Sequence, residues 1–429
     1  MKFHGTMTQD KDGLVSIGGV DVQTLKETYG TPLYIYDEKM LEDNAMMFKN
    51  SFKHDAIQGI VAYASKAFLT LAMARLINDA GLSIDVASEG ELYTVYKAGF
   101  DMSRVYFHGN NKTPHELALA IELKCGHIIL DNEHEVDLLS DLLSEQSKQM
   151  NVYLRVNPGI DVLTHDYIKT SKLDSKFGVG LEEASTIDLI KKIYENDNFN
   201  FKGLHAHIGS QIHQEEPFFE NVSTLLKYYK TLETHGIHFS GINIGGGFGI
   251  YYTKDDKPID LKVFLKNLID YLVSNAKYLD LKLDEVIIEP GRSMVSNAGS
   301  TLYTVGSTKL TPSGKEYIFI DGGMSDNPRV ALYQAEYEAI IANRNNTEYK
   351  SYAIAGKLCE SGDILSHDTL LNEASPDDLL LMSSTGAYTY SMSSNYNRLT
   401  RPAVVFVKEG QSRLVVKRQT LDDLIGWDL

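Results

Sequence analysis

Between positions 59 and 289 the chain carries eight short β-rich runs, each separated from the next by a stretch long enough for a helix. That alternation constrains the fold more than any other feature. The runs are Gly59–Tyr63, Ser83–Ala87, Val105–His108, His127–Leu130, Val152–Val156, Gly203–His207, Gly241–Ile244 and Val286–Glu289. Segments between them, such as Thr70–Asn78 and Leu261–Tyr278, repeat apolar residues every three or four positions, as amphipathic helices do. Apolar strands alternating with helices specify a parallel sheet covered on its outer side, and eight such units match a closed (β/α)8 TIM barrel, an α/β fold. An open, doubly wound sheet is the competing topology. The barrel is favoured because barrel enzymes assemble their sites from the C-terminal ends of many strands. Lys66 follows strand one, Asp85 and Glu89 strand two, His108 and Asn110 strand three, and Arg155 and Asn157 strand five. His207 and Ser210 follow strand six, Gly245 to Gly249 strand seven, and Glu289 and Arg292 strand eight. All are expected at one mouth.

After position 300 the pattern changes to strand-like runs without long helices: TLYTVGSTKL, EYIFID, DLLLMSS, PAVVFV and RLVVKR. A C-terminal β-rich domain is expected over 296–429, after a barrel spanning 39–295. The opening segment, 1–38, holds its own strand candidate, Pro32–Asp37, and is expected to pack with the β domain.

Composition narrows the partners. With 41 Lys plus Arg against 58 Asp plus Glu, the formal charge is −17, which argues against general binding to nucleic acid or anionic membranes. The start, MKFHGTMTQDKDGL, lacks the apolar core of a signal peptide, and no stretch approaches a membrane span, so a cytoplasmic protein is expected. Two cysteines, Cys125 and Cys359, cannot build a disulfide framework or a closed zinc site.

Three features at the expected mouth carry chemistry. Ile244–Gly249 (IGGGFG) ends strand seven, and consecutive glycines turn backbone N–H groups toward an anion with no Cβ in the way; phosphate is the expected ligand, with an ordinary tight turn as the alternative. Lys66 ends strand one among small and aromatic residues, where desolvation makes an amine a better carbonyl nucleophile. Lysine and phosphate cradle together fit pyridoxal 5'-phosphate. Glu289, in IIEPGR, then has a specific role, since a carboxylate beside the pyridine nitrogen strengthens the ring as an electron sink. The plainer alternative is a strand-end ion pair with Arg292. His205 and His207 sit two apart on strand six and share a face, so a metal-dependent barrel hydrolase is a distant alternative, although no other strand end offers a comparable histidine–carboxylate set.

The motifs YASKAF, DVASEGEL, HGNNKT, RVNPG, SKFG, HIGSQI, GGGFGI, EPGRSMV, DGGMSDNPRVALY, CESGD and GAYTYSMSSNYN, in this order over nearly the whole chain, strongly resemble diaminopimelate decarboxylase, a fold-type III, alanine-racemase-like family of pyridoxal phosphate enzymes. The resemblance implies that Lys66 holds the cofactor covalently, His207 stacks on its ring and Glu289 meets the pyridine nitrogen. It further implies that Ser210, Gly245, Gly246, Gly247 and the backbone around Pro290, Gly291 and Arg292 hold the phosphate, with Tyr388 closing the site. Tyr388 is implied to touch the substrate as well; Arg292, Arg329 and Tyr333 match residues gripping its distal carboxylate, Glu360 matches the residue facing its distal ammonium, and Cys359 the proton donor. Val330 departs from the pattern, standing where many relatives have proline.

The implied reaction is decarboxylation of meso-diaminopimelate to L-lysine, the last step of lysine biosynthesis, in a homodimer whose CESGD segment completes the partner's site. A related decarboxylase acting on ornithine or carboxynorspermidine is the nearer alternative. Non-catalytic pyridoxal-phosphate carriers are barrel-only proteins and lack the C-terminal substrate clamp. The polar segment Leu163–Gly178 after strand five reads as a lid.

Overall fold

The structure is a computed structural model that describes residues 1–160, 175–181, 183–345 and 348–429. The chain divides into two compact units: a barrel formed by Ala45–Gly249 and Pro258–Ser293, and a β-rich unit formed by Met1–Asn44, Ile250–Lys257 and Met294–Leu429. The short stretch Ile250–Lys257, which lies inside the expected barrel span, thus belongs to the β-rich unit. Most of the expected lid, residues 163–174, lies outside the described residues.

The barrel has eight parallel strands: Gln58–Ala64, Ser83–Val86, Val105–Phe107, His127–Leu130, Met150–Asn157, Phe199–His205, Gly241–Asn243 and Glu285–Ile288. Each pairs with the next in sequence, and the ring closes where Glu285–Ile288 aligns with Gln58–Val61. Closure excludes the open, doubly wound alternative. Inside the ring Ala62, Tyr106, Ile129, Tyr153 and Ile287 pack into a plug, so the lumen below the mouth is a filled core and chemistry is confined to the strand ends.

Local sequence explains where the covering helices start. Thr70, Ser88, Thr113 and Asn132 each accept a backbone N–H with the side chain at the N-cap, and Thr113 with Glu116 forms a reciprocal capping box. Each cap begins a helix shortly after a strand has ended, holding the strand–helix loop short and the strand-end side chains in place. The last two long helices, Glu216–Glu233 and Leu261–Tyr278, bury Phe218, Leu225, Phe264 and Leu268 on one face.

In the β-rich unit the five expected runs all lie in strands, including Gly299–Leu310, Glu316–Ile320, Leu379–Met382, Ala403–Lys408 and Gln411–Val416. The N-terminal strand Leu33–Asp37 is buried throughout and lies between Gly299–Leu310, antiparallel, and Ala403–Lys408, parallel. Every residue of this strand is buried, so neither face meets solvent, which is why LYIYD carries no polar alternation. Among the described residues no helix is long and apolar enough to cross a membrane.

Candidate active site

At the barrel mouth the decisive side chain is Glu289, only 7 % exposed and placed just beyond strand eight. Its Oε1 accepts from Asn243 Nδ2 at 2.7 Å, and its Oε2 accepts from His205 Nε2 at 3.0 Å. His108 Nε2 stands 2.9 Å from Oε1 but is not aligned to donate, so it acts as a close polar contact. Burial alone would raise the Glu289 carboxyl; His108 and His205 outweigh that and hold it well below the usual carboxylate range. Both imidazoles are themselves lowered by burial, His108 to about 4. A neutral His205 that donates from Nε2 has a bare Nδ1, and that atom has no hydrogen-bond partner. Asp85, also buried, is pushed the other way, first by desolvation and then by Glu289. Of these two buried carboxyls, Glu289 is the one held in its ionised form.

Around this carboxylate the other expected residues assemble. Lys66, exposed in the short turn after strand one, is close enough to bias Asp85, His205 and His207 electrostatically. His207 Nδ1 accepts the Gly246 N–H at 3.2 Å, and desolvation, reinforced by Lys66, holds the ring well below its ordinary value. Arg292 donates to Ser210 Oγ from Nη2 at 3.0 Å and from Nε at 3.3 Å. The Pro290 carbonyl accepts the Ala64 N–H at 3.0 Å, which fastens strand eight's exit beside the start of the Lys66 turn. The glycine run admits no side chain: a Cβ on Gly246 would stand 2.0 Å from the Glu289 carbonyl oxygen, and Gly247 takes φ +106°. Glycine is thus required for the backbone to approach strand eight, and the same bareness makes a cradle for a phosphate. A lysine amine, a phosphate cradle and a buried carboxylate around one mouth fit pyridoxal phosphate.

Several expectations change. His205 and His207 do not act as a pair, because the strand ends at His205, whose ring turns to Glu289 while that of His207 turns to Gly246. A histidine–carboxylate set does exist at another combination: His108, His205 and Glu289 bring ligand atoms within 4.8 Å of one another. In it Glu289 oxygens accept hydrogen bonds from Asn243 and His205, the pattern of a clamped carboxylate. Glu289 pairs with these groups instead of with Arg292. Glu89 is on the exposed surface, paired with His115 at 2.9 Å; Glu91 takes the position near the mouth, accepting from Ser65 Oγ and the Ala87 N–H. Asn243 was missed, although a polar residue inside the apolar run GINI, two positions before GGG, was a readable signal.

In the β-rich unit the short helix Arg329–Tyr333 buries Arg329, which is 6 % exposed. Its Nη1 donates to Tyr252 Oη at 2.9 Å and Tyr337 Oη at 2.6 Å, and the guanidinium lies within 6.0 Å of the Tyr252, Tyr337 and Tyr388 ring centres. No carboxylate pairs with it among the described residues. A buried cation whose partners are phenols retains donors for an anionic ligand. Tyr252 and Tyr337 carried no sequence signal, since aromatic residues are common core constituents. Cys359 and Glu360 are exposed together in the turn before Ile364–Asn372, whereas Cys125 is buried and its thiol is pushed up to about 12. Tyr333 is half-buried, and Tyr388 is half-buried with φ +60°.

Comparison with known proteins decides the family. Residues 40–296 match the family "Pyridoxal-dependent decarboxylase, pyridoxal binding domain". The chain is 46% identical to diaminopimelate decarboxylase of Bacillus subtilis, over 100% of this chain and 98% of that protein. The chain belongs to the diaminopimelate decarboxylase family. Diaminopimelate decarboxylase of Staphylococcus aureus is 41% identical over 98% of this chain and 99% of that protein. The crystal structure of diaminopimelate decarboxylase from M. jannaschii in co-complex with L-lysine superposes with a TM-score of 0.93 at 34% identity, covering 99% of this chain and 98% of that one. Membership accounts for two units in one chain: the barrel carries the pyridoxal-binding part, and the similarity to diaminopimelate decarboxylases continues through the β-rich unit.

Proposed function

We propose that this chain catalyses the pyridoxal-phosphate-dependent decarboxylation of meso-2,6-diaminopimelate to L-lysine and CO2, the last step of lysine biosynthesis. The observation that carries it is the clamped Glu289 carboxylate, in the same barrel mouth as Lys66 and the Gly245–Gly247 cradle. Pyridoxal phosphate, when bound, supplies an electron sink for the bonding pair left behind as CO2 departs.

Lys66 would hold the cofactor's aldehyde carbon, and Ser210, Gly245, Gly246, Gly247, Pro290, Gly291 and Arg292 its phosphate. Glu289, kept ionised by its donors, favours a protonated pyridine nitrogen; the neutral His207 ring presents a flat face without adding charge. Arg292, Arg329 and Tyr333 would fix the substrate's distal carboxylate and Glu360 its distal ammonium, with Tyr388 closing the site over the substrate. Those contacts would present one carboxylate, and not the other, for loss, since positioning of the reacting group sets the rate. Cys359 then delivers a proton to Cα. Cys359 and Glu360 belong, in this reading, to a second copy of the chain, so the active species is a cytoplasmic homodimer.

The test is CO2 release from meso-diaminopimelate against L-lysine, L-ornithine and carboxynorspermidine in parallel. Preference for any of the other three overturns the substrate assignment. Lys66→Ala should lose both turnover and the visible absorption of the lysine-bound cofactor; turnover retained in that variant refutes the covalent role of Lys66. A colourless, metal-loaded protein would overturn the pyridoxal phosphate reading.

A further inference from the structure

No step of the reaction uses the motif SMSSNYN, yet its residues converge on the CESGD turn. Cys359 and Glu360 are exposed, and an exposed turn does not by itself hold a thiol in one orientation. One flank is fastened by Asp363, whose carboxylate accepts the Met324 N–H at 2.6 Å and the Leu358 N–H at 2.8 Å. On the other flank the Cys359 N–H donates to Asn397 Oδ1 at 2.8 Å, across 38 residues of sequence. Tyr396 Oη stands 3.5 Å from Glu360 Oε2, at the outer limit of hydrogen bonding. The Ser394 N–H donates to the Ser325 carbonyl at 2.9 Å, so SMSSNYN, CESGD and GMSDNPR are tied together.

The backbone delivering Asn397 is strained. Asn397 and Arg398 take φ +51° and +57°, two consecutive non-glycine residues in the left-handed region. Asparagine tolerates that conformation through its short polar side chain; arginine does not favour it. The Arg398 guanidinium is bolted to the chain's C-terminal segment, donating to the Leu424 carbonyl at 2.8 Å and to Asp428 Oδ2 at 2.9 Å. Strain that the surrounding structure holds in place is characteristic of functional sites.

We propose that Asn397 is a positioning residue that sets the orientation of the Cys359 turn, and that Arg398 braces it against the C-terminal segment. This rests on the proton-donor role proposed for Cys359. Misplacing a reacting group by about 1 Å costs roughly a hundredfold in rate. In the holoenzyme, Asn397→Ala should therefore lower kcat for meso-diaminopimelate about a hundredfold, while the cofactor dissociation constant is unchanged. Amide exchange should accelerate in the peptide containing Cys359 and not in the barrel. Asn397→Asp keeps an acceptor oxygen and should restore kcat to within about threefold of the parent. Arg398→Met, which leaves Asn397 in place, should lower kcat and speed the same peptide's exchange, serving where Asn397→Ala folds poorly. Cys359→Ala separates the two readings. If it loses turnover while Asn397→Ala and Arg398→Met keep theirs, the positioning role is overturned and the donor role stands. If Cys359→Ala keeps full turnover, the donor role itself fails, and the positioning role with it.

Discussion

Asn243→Ala tests whether Glu289 is clamped as described. Asn243 is fully buried, donates to Glu289 Oε1 at 2.7 Å, and accepts the Gly245 N–H on its own Oδ1 at 3.0 Å. A hydrogen bond to a buried charge contributes about 1.5–3 kcal/mol and a neutral one about 1 kcal/mol. Their joint loss should destabilise the barrel by roughly 3 kcal/mol, which for a unit of this size lowers its thermal midpoint by roughly 6–12 °C. Calorimetry on the parent and variant holoenzymes reads this directly. Asn243→Asp gives the sharper signature. It places a second carboxylate against Glu289, and two like charges so close cannot both ionise, so one carboxyl's folded pKa rises above its unfolded value. The folded state then binds more protons than the unfolded state, and stability falls as pH rises through that window, by about 1.4 kcal/mol per unit. Asn243→Asp should therefore recover stability on acidification from neutral pH toward about 5, while Asn243→Ala shows no such recovery. Equal pH slopes for the two variants, or a midpoint shift under about 1 °C for Asn243→Ala, would refute the clamp.

Other outcomes follow from the same geometry. Gly246→Ala should abolish cofactor retention after gel filtration, because the Cβ meets the Glu289 carbonyl at 2.0 Å and backbone cannot yield as a flexible side chain would. His108, lowered by burial to about 4, stabilises the fold only while neutral; its contribution is present above pH 6.5 and is lost as pH falls toward 4, up to about 3 kcal/mol. The urea midpoint should therefore drop over that window, and His108→Asn should flatten the drop. Arg329→Lys retains charge but loses the planar fork, so KM for meso-diaminopimelate should rise about tenfold to a hundredfold; an unchanged KM would remove Arg329 from the substrate clamp.

The eightfold alternation of strand and helix was legible because periodicity and caps are local: Thr70, Ser88, Thr113 and Asn132 announce their helices without reference to anything distant. The glycine run after strand seven was legible for the same reason, since only glycine survives so close to strand eight. The partners of Glu289 were not. His108, His205 and Asn243 lie at the ends of three different strands, and a single sequence does not state the rotation at which each ring or amide leaves its strand. The distant alternative of a His205–His207 metal pair turned on the same point: two residues alternate on one face only while the strand continues, and this strand stops at His205.

The β-rich unit shows the same division. That PLYIYD would be a strand, and that five further runs would follow residue 300, could be read from β-branched and aromatic content. That Leu33–Asp37 would lie between Gly299–Leu310 and Ala403–Lys408 is a matter of long-range register, which no local pattern encodes. The sequence by itself determined the elements, the glycine cradle and the reactive residue types at strand ends. Only the tertiary structure decided the charge state of the buried carboxylate, the phenol cage around Arg329 and the tether on Cys359. Each of those depends on desolvation and on donors brought from tens to hundreds of residues away, and burial exists only once the chain has folded.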